Sequence, residues 1–130
     1  MKPPPGALGL ALVAGGMDLL TGLGLVGLPQ LTLGLMSVPV PGAEALLYLR
    51  FVGAFVAATG AMYLWALSAP AARLRPVLGA TLLPRGAAGC FTGLAVLSGA
   101  LARPWLSVTA VDLALVVVQL WLRRRWPPAE

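Results

Sequence analysis

The stretch LLYLRFVGAFVAATGAMYLWAL, Leu46 to Leu67, is long and apolar enough to span a bilayer, yet it carries Arg50 in its outer half. An arginine inside a span costs about 2.5–3.5 kcal/mol on insertion scales unless something compensates it. Three other apolar stretches carry Asp18, Arg85 and Asp112, so the four charges sum to zero. A chain that repeats this pattern reads as an all-α protein: an integral membrane four-helix bundle built around its interior charges.

Composition narrows the class. The chain has 130 residues, of which 59% are hydrophobic and 10% charged, with a mean hydropathy of +0.92. Soluble domains carry roughly 25% charged residues, and disordered chains have low hydrophobicity. Both classes are excluded, and residues 1–130 read as a single membrane domain. The net charge of +5 does not indicate nucleic acid, because the basic residues flank apolar spans instead of forming a stripe on polar surface. Flanking Lys and Arg report membrane orientation. The chain has no histidine, which removes the commonest metal ligand and general base. Its single cysteine, Cys90, allows no internal disulfide and no Cys-x-x-Cys pair, and is expected as a small buried residue.

The spans are placed at about 7–28, 44–68, 77–101 and 104–122, each close to the ~20 residues a helix needs to cross the hydrocarbon core. Pro3, Pro4 and Pro5 hold off the first helix. A cleaved signal peptide is the alternative reading of the first span, disfavoured by its length and by Asp18. Ala11, Ala14, Asp18, Gly22 and Leu25 share one helical face. In the second span Arg50, Gly53, Ala57, Gly60, Ala61 and Leu64 do the same. Such small faces let another backbone approach closely in lipid. Between these spans, residues 29–42 (PQLTLGLMSVPVPG) are too short to cross. They are expected as an interfacial segment on the outer side, acting as a connector or as a lid. Residues 69–76 (APAARLRP) read as a polar connector. In the third span Pro84 predicts a kink beside Arg85, and Thr81, Arg85, Gly89, Thr92, Val96 and Gly99 form the most polar stripe. Pro104 opens the fourth span, where Val108, Asp112, Val116, Gln119 and Arg123 align.

Lys2, the amino terminus, Arg73, Arg75 and Arg123 to Arg125 fall on one side of such a layout, and Arg103 on the other. The positive-inside rule then makes both termini cytoplasmic. Trp65, Trp121 and Trp126 at the inner boundary agree with this, as do Tyr48 and Trp105 at the outer boundary.

Depth follows from a 1.5 Å rise per residue. Asp18 and Arg85 lie about 15 Å from the cytoplasmic ends, and Arg50 and Asp112 roughly 9–12 Å from the outer ends. Matched depths predict two pairs, Asp18 with Arg85 and Arg50 with Asp112. Two readings of these charges stand open. They fix helix register and partner choice, or they line a cavity for a proton, an ion or a lipid-like headgroup. Thr92 and Gln119 either extend that cavity or bond helix to helix.

The segment LRFVGAFVAATG, Leu49 to Gly60, preceded by the connector 29–42, resembles the DoxX-like group of small four-span bacterial membrane proteins. The resemblance implies a bacterial inner membrane, multi-pass location. It also implies partnership with oxidoreductase or quinone-handling complexes, with Arg50 as the one matched position. The chain departs from the group in carrying Asp18 and in lacking a cysteine pair, which argues against an independent redox activity.

These readings lead to a non-catalytic accessory subunit of a larger membrane complex, redox- or quinone-linked by the resemblance. Its Gly- and Ala-rich faces exceed what four helices need for internal contact. The alternative is a binder or transporter of a small amphipathic or anionic molecule, using a cavity of Asp18, Arg50, Arg85, Asp112, Thr92 and Gln119. An enzyme acting on a lipid or quinone is the third reading, with only Asp18 and Asp112 for acid-base work. No cofactor, metal or catalytic residue is expected, while a bound lipid or quinone is compatible with the cavity. The expected partners are the lipid bilayer and other membrane subunits or a second copy, not nucleic acid.

Overall fold

The structure, a computed structural model, describes residues 2–128, so the amino terminus at Met1 and the final Ala129 and Glu130 lie outside it. The described residues form helices and connectors, with no strand among them. The helices are α1 (Ala7–Gly27), α2 (Pro29–Leu35), α3 (Ala43–Ala66), α4 (Pro70–Ala80), α5 (Leu82–Leu97) and α6 (Leu106–Arg125), with a 3₁₀ turn at Arg103–Trp105. Four segments are long and apolar enough to cross a membrane: Ala7–Gly27, Ala43–Ala66, the joined Pro70–Leu97, and Arg103–Arg125.

The third of these departs from its expected bounds. The stretch 69–76 is not a connector, because Pro70 starts α4 in its first turn, where proline's fixed φ suits a helix and its missing N–H is no loss. The helix also breaks earlier than Pro84, at Thr81, which has φ −80 and ψ −9. Pro84 sits in the first turn of α5 and cannot donate to the Ala80 carbonyl four residues back. At the far end, Gly99 takes φ 78, a left-handed conformation that glycine adopts without a Cβ clash. The Ala100 N–H then reaches the Ala95 carbonyl at 2.8 Å and closes α5.

Helices α1 and α3 run antiparallel in close contact along their lengths. A Cβ on Gly53 would lie 2.6 Å from Leu25 Cβ, and one on Gly60 2.6 Å from the Gly15 carbonyl oxygen. A Cβ on Gly22 would strike the Ala57 backbone, and one on Gly15 would lie 2.8 Å from Tyr63 Cβ. Glycines spaced by seven residues on both helices keep these contacts on one seam. The small faces are therefore used up by this pair. Ala61, placed on that face from the sequence, is exposed instead.

Helices α5 and α6 form the second antiparallel pair. Leu113 Cγ lies 2.9 Å from the Cβ that Gly89 lacks, and Thr109 Cγ2 lies 3.1 Å from that of Gly93. The two pairs meet at the end that holds α4. There Ala7, Ala11, Tyr63, Leu74, Leu78, Leu122 and Trp126 bury one another. At the opposite end Leu25, Leu33, Val38 and Leu46 form a smaller cluster that anchors α2 against α1 and α3.

Outside these seams the apolar side chains point away from protein. Leu20 is 75% exposed, Leu83 82% and Leu97 83%, a distribution a chain keeps only where the surroundings are apolar. Cys90, expected to be buried, is exposed on this lateral surface. It follows Gly89 by one residue, about 100° around the helix from the buried stripe of Arg85, Gly89 and Thr92.

Candidate functional site

Every spanning segment contributes a polar side chain to one network. Arg85 on α5 is at its centre, with its side chain 4% exposed. Its Nη1 donates to Asp112 Oδ1 on α6 at 2.8 Å, and its Nη2 donates to Asp18 Oδ2 on α1. Its Nε donates to Tyr63 Oη on α3 at 2.9 Å. Tyr63 Oη in turn donates to Thr81 Oγ1 at 2.8 Å, and Thr81 Oγ1 donates to the Val77 carbonyl at 2.9 Å. Gln119 Nε2 on α6 closes the cluster by donating to Tyr63 Oη and, at 3.2 Å, to Thr81 Oγ1.

Local sequence explains these positions. Asp18 falls on the small face of α1, between Ala14 and Gly22, so it turns toward protein and away from the lateral surface. Arg85 lies on the same stripe of α5 as Gly89 and Thr92, so it turns inward and its Nε reaches Tyr63. Burial of a guanidinium is tolerable because three of its donors are satisfied and two of the acceptors are carboxylates.

Above this network lies a cleft of about 640 Å³ between the α1–α3 and α5–α6 pairs. Its wall is mostly apolar, with Leu49, Val52, Phe55 and Phe91 among the lining residues. Asp18, Arg85 and Asp112 are its charged lining. Thr92 also borders it and bonds Thr109 Oγ1 across the α5–α6 seam at 2.7 Å. A second cleft, of about 440 Å³, shares Leu49, Val52, Leu101 and Trp105 with the first and continues beneath Pro39 to Pro41. Together they lead from the charged network to the end of the molecule that holds α2.

The structure brings together some of the residues singled out in the sequence and separates others. Asp18 meets Arg85, as matched depth requires. Asp112 also meets Arg85, and not Arg50. Arg50 lines neither cleft. Its Nη1 instead donates to the Val26 carbonyl at 2.5 Å, near the last turn of α1, where carbonyls lack helical donors and a cation is favoured. Helix α3 packs along α1 and not along α6, so equal depth did not make Arg50 and Asp112 neighbours. Gln119 is fully buried but does not border the cleft, and its Oε1 has no hydrogen-bond partner among the described residues.

Tyr63 and Thr81 are the residues that sequence reasoning missed as site members. Tyr63 reads as one more aromatic residue near a span end, and its Oη makes sense only once α5 and α6 surround it. Its one visible signal is phase, since it follows Gly60 by three residues on the face turned to α1.

No family model matches the chain, and no curated protein or solved structure matches it.

Proposed function

We propose that the chain is a multi-pass protein of a bacterial inner membrane that binds a small amphipathic molecule in the cleft between its two helix pairs. In this reading the spans gather into a four-helix bundle with both termini cytoplasmic, and residues 29–42 lie at the outer interface. The supporting observation is the cleft itself: an apolar wall of drug-molecule scale ending on two carboxylates and one guanidinium. The apolar wall takes the ligand's body and the charged floor takes its head. The protein acts by binding, without a catalytic step.

A second reading is the accessory subunit. It draws on the likeness of Leu49–Gly60 to DoxX-like proteins and on the exposed lateral faces of α5 and α6, where Leu83, Leu97 and Val117 are uncovered. Part of its support is spent, because Gly15, Gly22, Gly53 and Gly60 are occupied in the α1–α3 seam, while Gly9 on α1 and Ala54, Ala58 and Ala61 on α3 stay uncovered.

Native mass spectrometry of the protein released from gentle detergent separates the two. The binding reading expects the chain, alone or as a homo-oligomer, to carry a small molecule that Ala88→Trp displaces. Ala88 lines the cleft but its side chain takes no part in the polar network, so this change fills space without touching the charges. A stoichiometric set of larger subunits favours the second reading, and a bare chain refutes the first.

A further inference from the structure

Charge balance along the cleft identifies the kind of head group it takes. Its floor holds two carboxylates, Asp18 and Asp112, against a single guanidinium, Arg85. The Arg50 that balanced the count in the sequence is committed to the Val26 carbonyl and does not border the cleft. The other elements packed on this site bring Tyr63 from α3, Thr81 from the α4–α5 junction and Gln119 from α6, all of them polar side chains without a formal charge. Among the described lining residues no other Lys, Arg, Asp or Glu appears. With both acids ionised the site carries one unit of excess negative charge in a low-dielectric setting, where an uncompensated charge is costly.

Each acid also has bonding capacity left toward the cleft. Arg85 engages a single oxygen of each carboxylate, Oδ2 of Asp18 and Oδ1 of Asp112. Asp18 Oδ1 and Asp112 Oδ2 make no hydrogen bond to protein among the described residues. Both residues line the open space, and neither second oxygen is sealed in protein without a partner.

We infer that the ligand is an amphipathic cation, an ammonium or similar head on an apolar body, and that it enters in exchange for a proton held on one of the two acids, Asp18 or Asp112. This rests on the binding reading above. In the empty site one carboxyl O–H supplies the missing positive charge. As the cation arrives, that bond breaks, the electron pair stays on the carboxylate and the proton leaves to water. The apolar wall at Val52, Phe55 and Phe91 then packs the hydrophobic body, with aromatic faces available to a cation.

Tetraphenylphosphonium and tetraphenylborate test this directly, because they share shape and apolar surface and differ in the sign of charge. Each is titrated into the purified chain in zwitterionic nanodiscs between pH 5.5 and 8.5, with Ala88→Trp as the blank for partition into lipid. The expected result is saturable binding of the phosphonium alone. Its affinity should rise about tenfold per pH unit while one proton is exchanged, and calorimetry in two buffers should count that proton. Asp112→Asn removes the excess charge and should abolish both the binding and the proton release, with a melting curve confirming that the variant is folded. Asp18→Asn provides the second arm if Asp112→Asn does not fold.

Borate binding as tight as phosphonium, pH-independent phosphonium binding, or no saturable binding of either probe would each overturn the exchange. A co-purified small molecule displaced by Ala88→Trp would still uphold the cleft as a binding site. Its absence would overturn that reading separately.

Discussion

Replacing Arg85 by methionine is the most informative perturbation of the network. The change keeps an apolar stem of similar length and deletes the guanidinium that bonds Asp18, Asp112 and Tyr63. Its two bonds to carboxylates are worth about 1.5–3 kcal/mol each, or roughly 3–6 kcal/mol together. Removing one partner of a buried ion pair costs about 3–5 kcal/mol in measured cases, so both routes give about 4 kcal/mol. That corresponds to about a thousandfold in the unfolding equilibrium, a large share of a typical stability of 5–15 kcal/mol. The origin of the loss is the desolvation of buried acids left without their guanidinium more than the absence of an attraction. Arg85→Met combined with Asp18→Asn and Asp112→Asn should therefore recover most of it, because neutral amides can bond each other and Tyr63. Equilibrium unfolding in mixed micelles of mild detergent and dodecyl sulfate, followed by far-UV circular dichroism, measures all three proteins. A single variant as stable as wild type would refute the reasoning. A triple variant no better than the single one would refute the charge argument even if the arginine itself matters.

Three further outcomes follow from the same geometry. Arg50→Met loses one bond to a backbone carbonyl at a half-exposed position and should cost about 1 kcal/mol in the same unfolding assay, well below Arg85→Met; an equal loss would mean Arg50 does more than cap α1. Gly22→Ala places a methyl against the Ala57 backbone and should destabilise by roughly 1–3 kcal/mol. Gly16→Ala, with nothing within 4 Å, should leave the transition unchanged, and equal effects at the two glycines would contradict the α1–α3 seam. Tyr63→Phe removes the hydroxyl that serves Arg85, Gln119 and Thr81 and should cost about 1–3 kcal/mol, which thermal unfolding of the detergent-solubilised protein would register; an unchanged midpoint would exclude Tyr63 from the network.

Hydropathy and helical phase are properties of one segment at a time, and they were legible without a fold. The four apolar spans, the small face through Ala11, Ala14, Asp18, Gly22 and Leu25, and the stripe of Thr81, Arg85, Gly89 and Thr92 all follow from counting along the chain. The structure buries Ala11, Ala14, Asp18, Gly22 and Leu25 in α1, and Arg85, Gly89 and Thr92 in α5. Depth is also one-dimensional, which is why Asp18 and Arg85 could be matched by level.

Neighbourhood is a different quantity. Which helix lies beside which depends on close approach at Gly15, Gly22, Gly53 and Gly60, where backbones pack because no Cβ intervenes. That seam commits α3 to α1, turns Arg50 to the Val26 carbonyl, and leaves Arg85 to serve both acids. The helix break falls at Thr81, three residues before the kink expected at Pro84, and Tyr63 gains its role only because the Arg85 Nε reaches it from another segment. Charge placed along each span was written in the order of residues. The sharing of one guanidinium between two carboxylates arose only when separate segments were packed, because electrostatic pairing follows distance in space and not position in the chain.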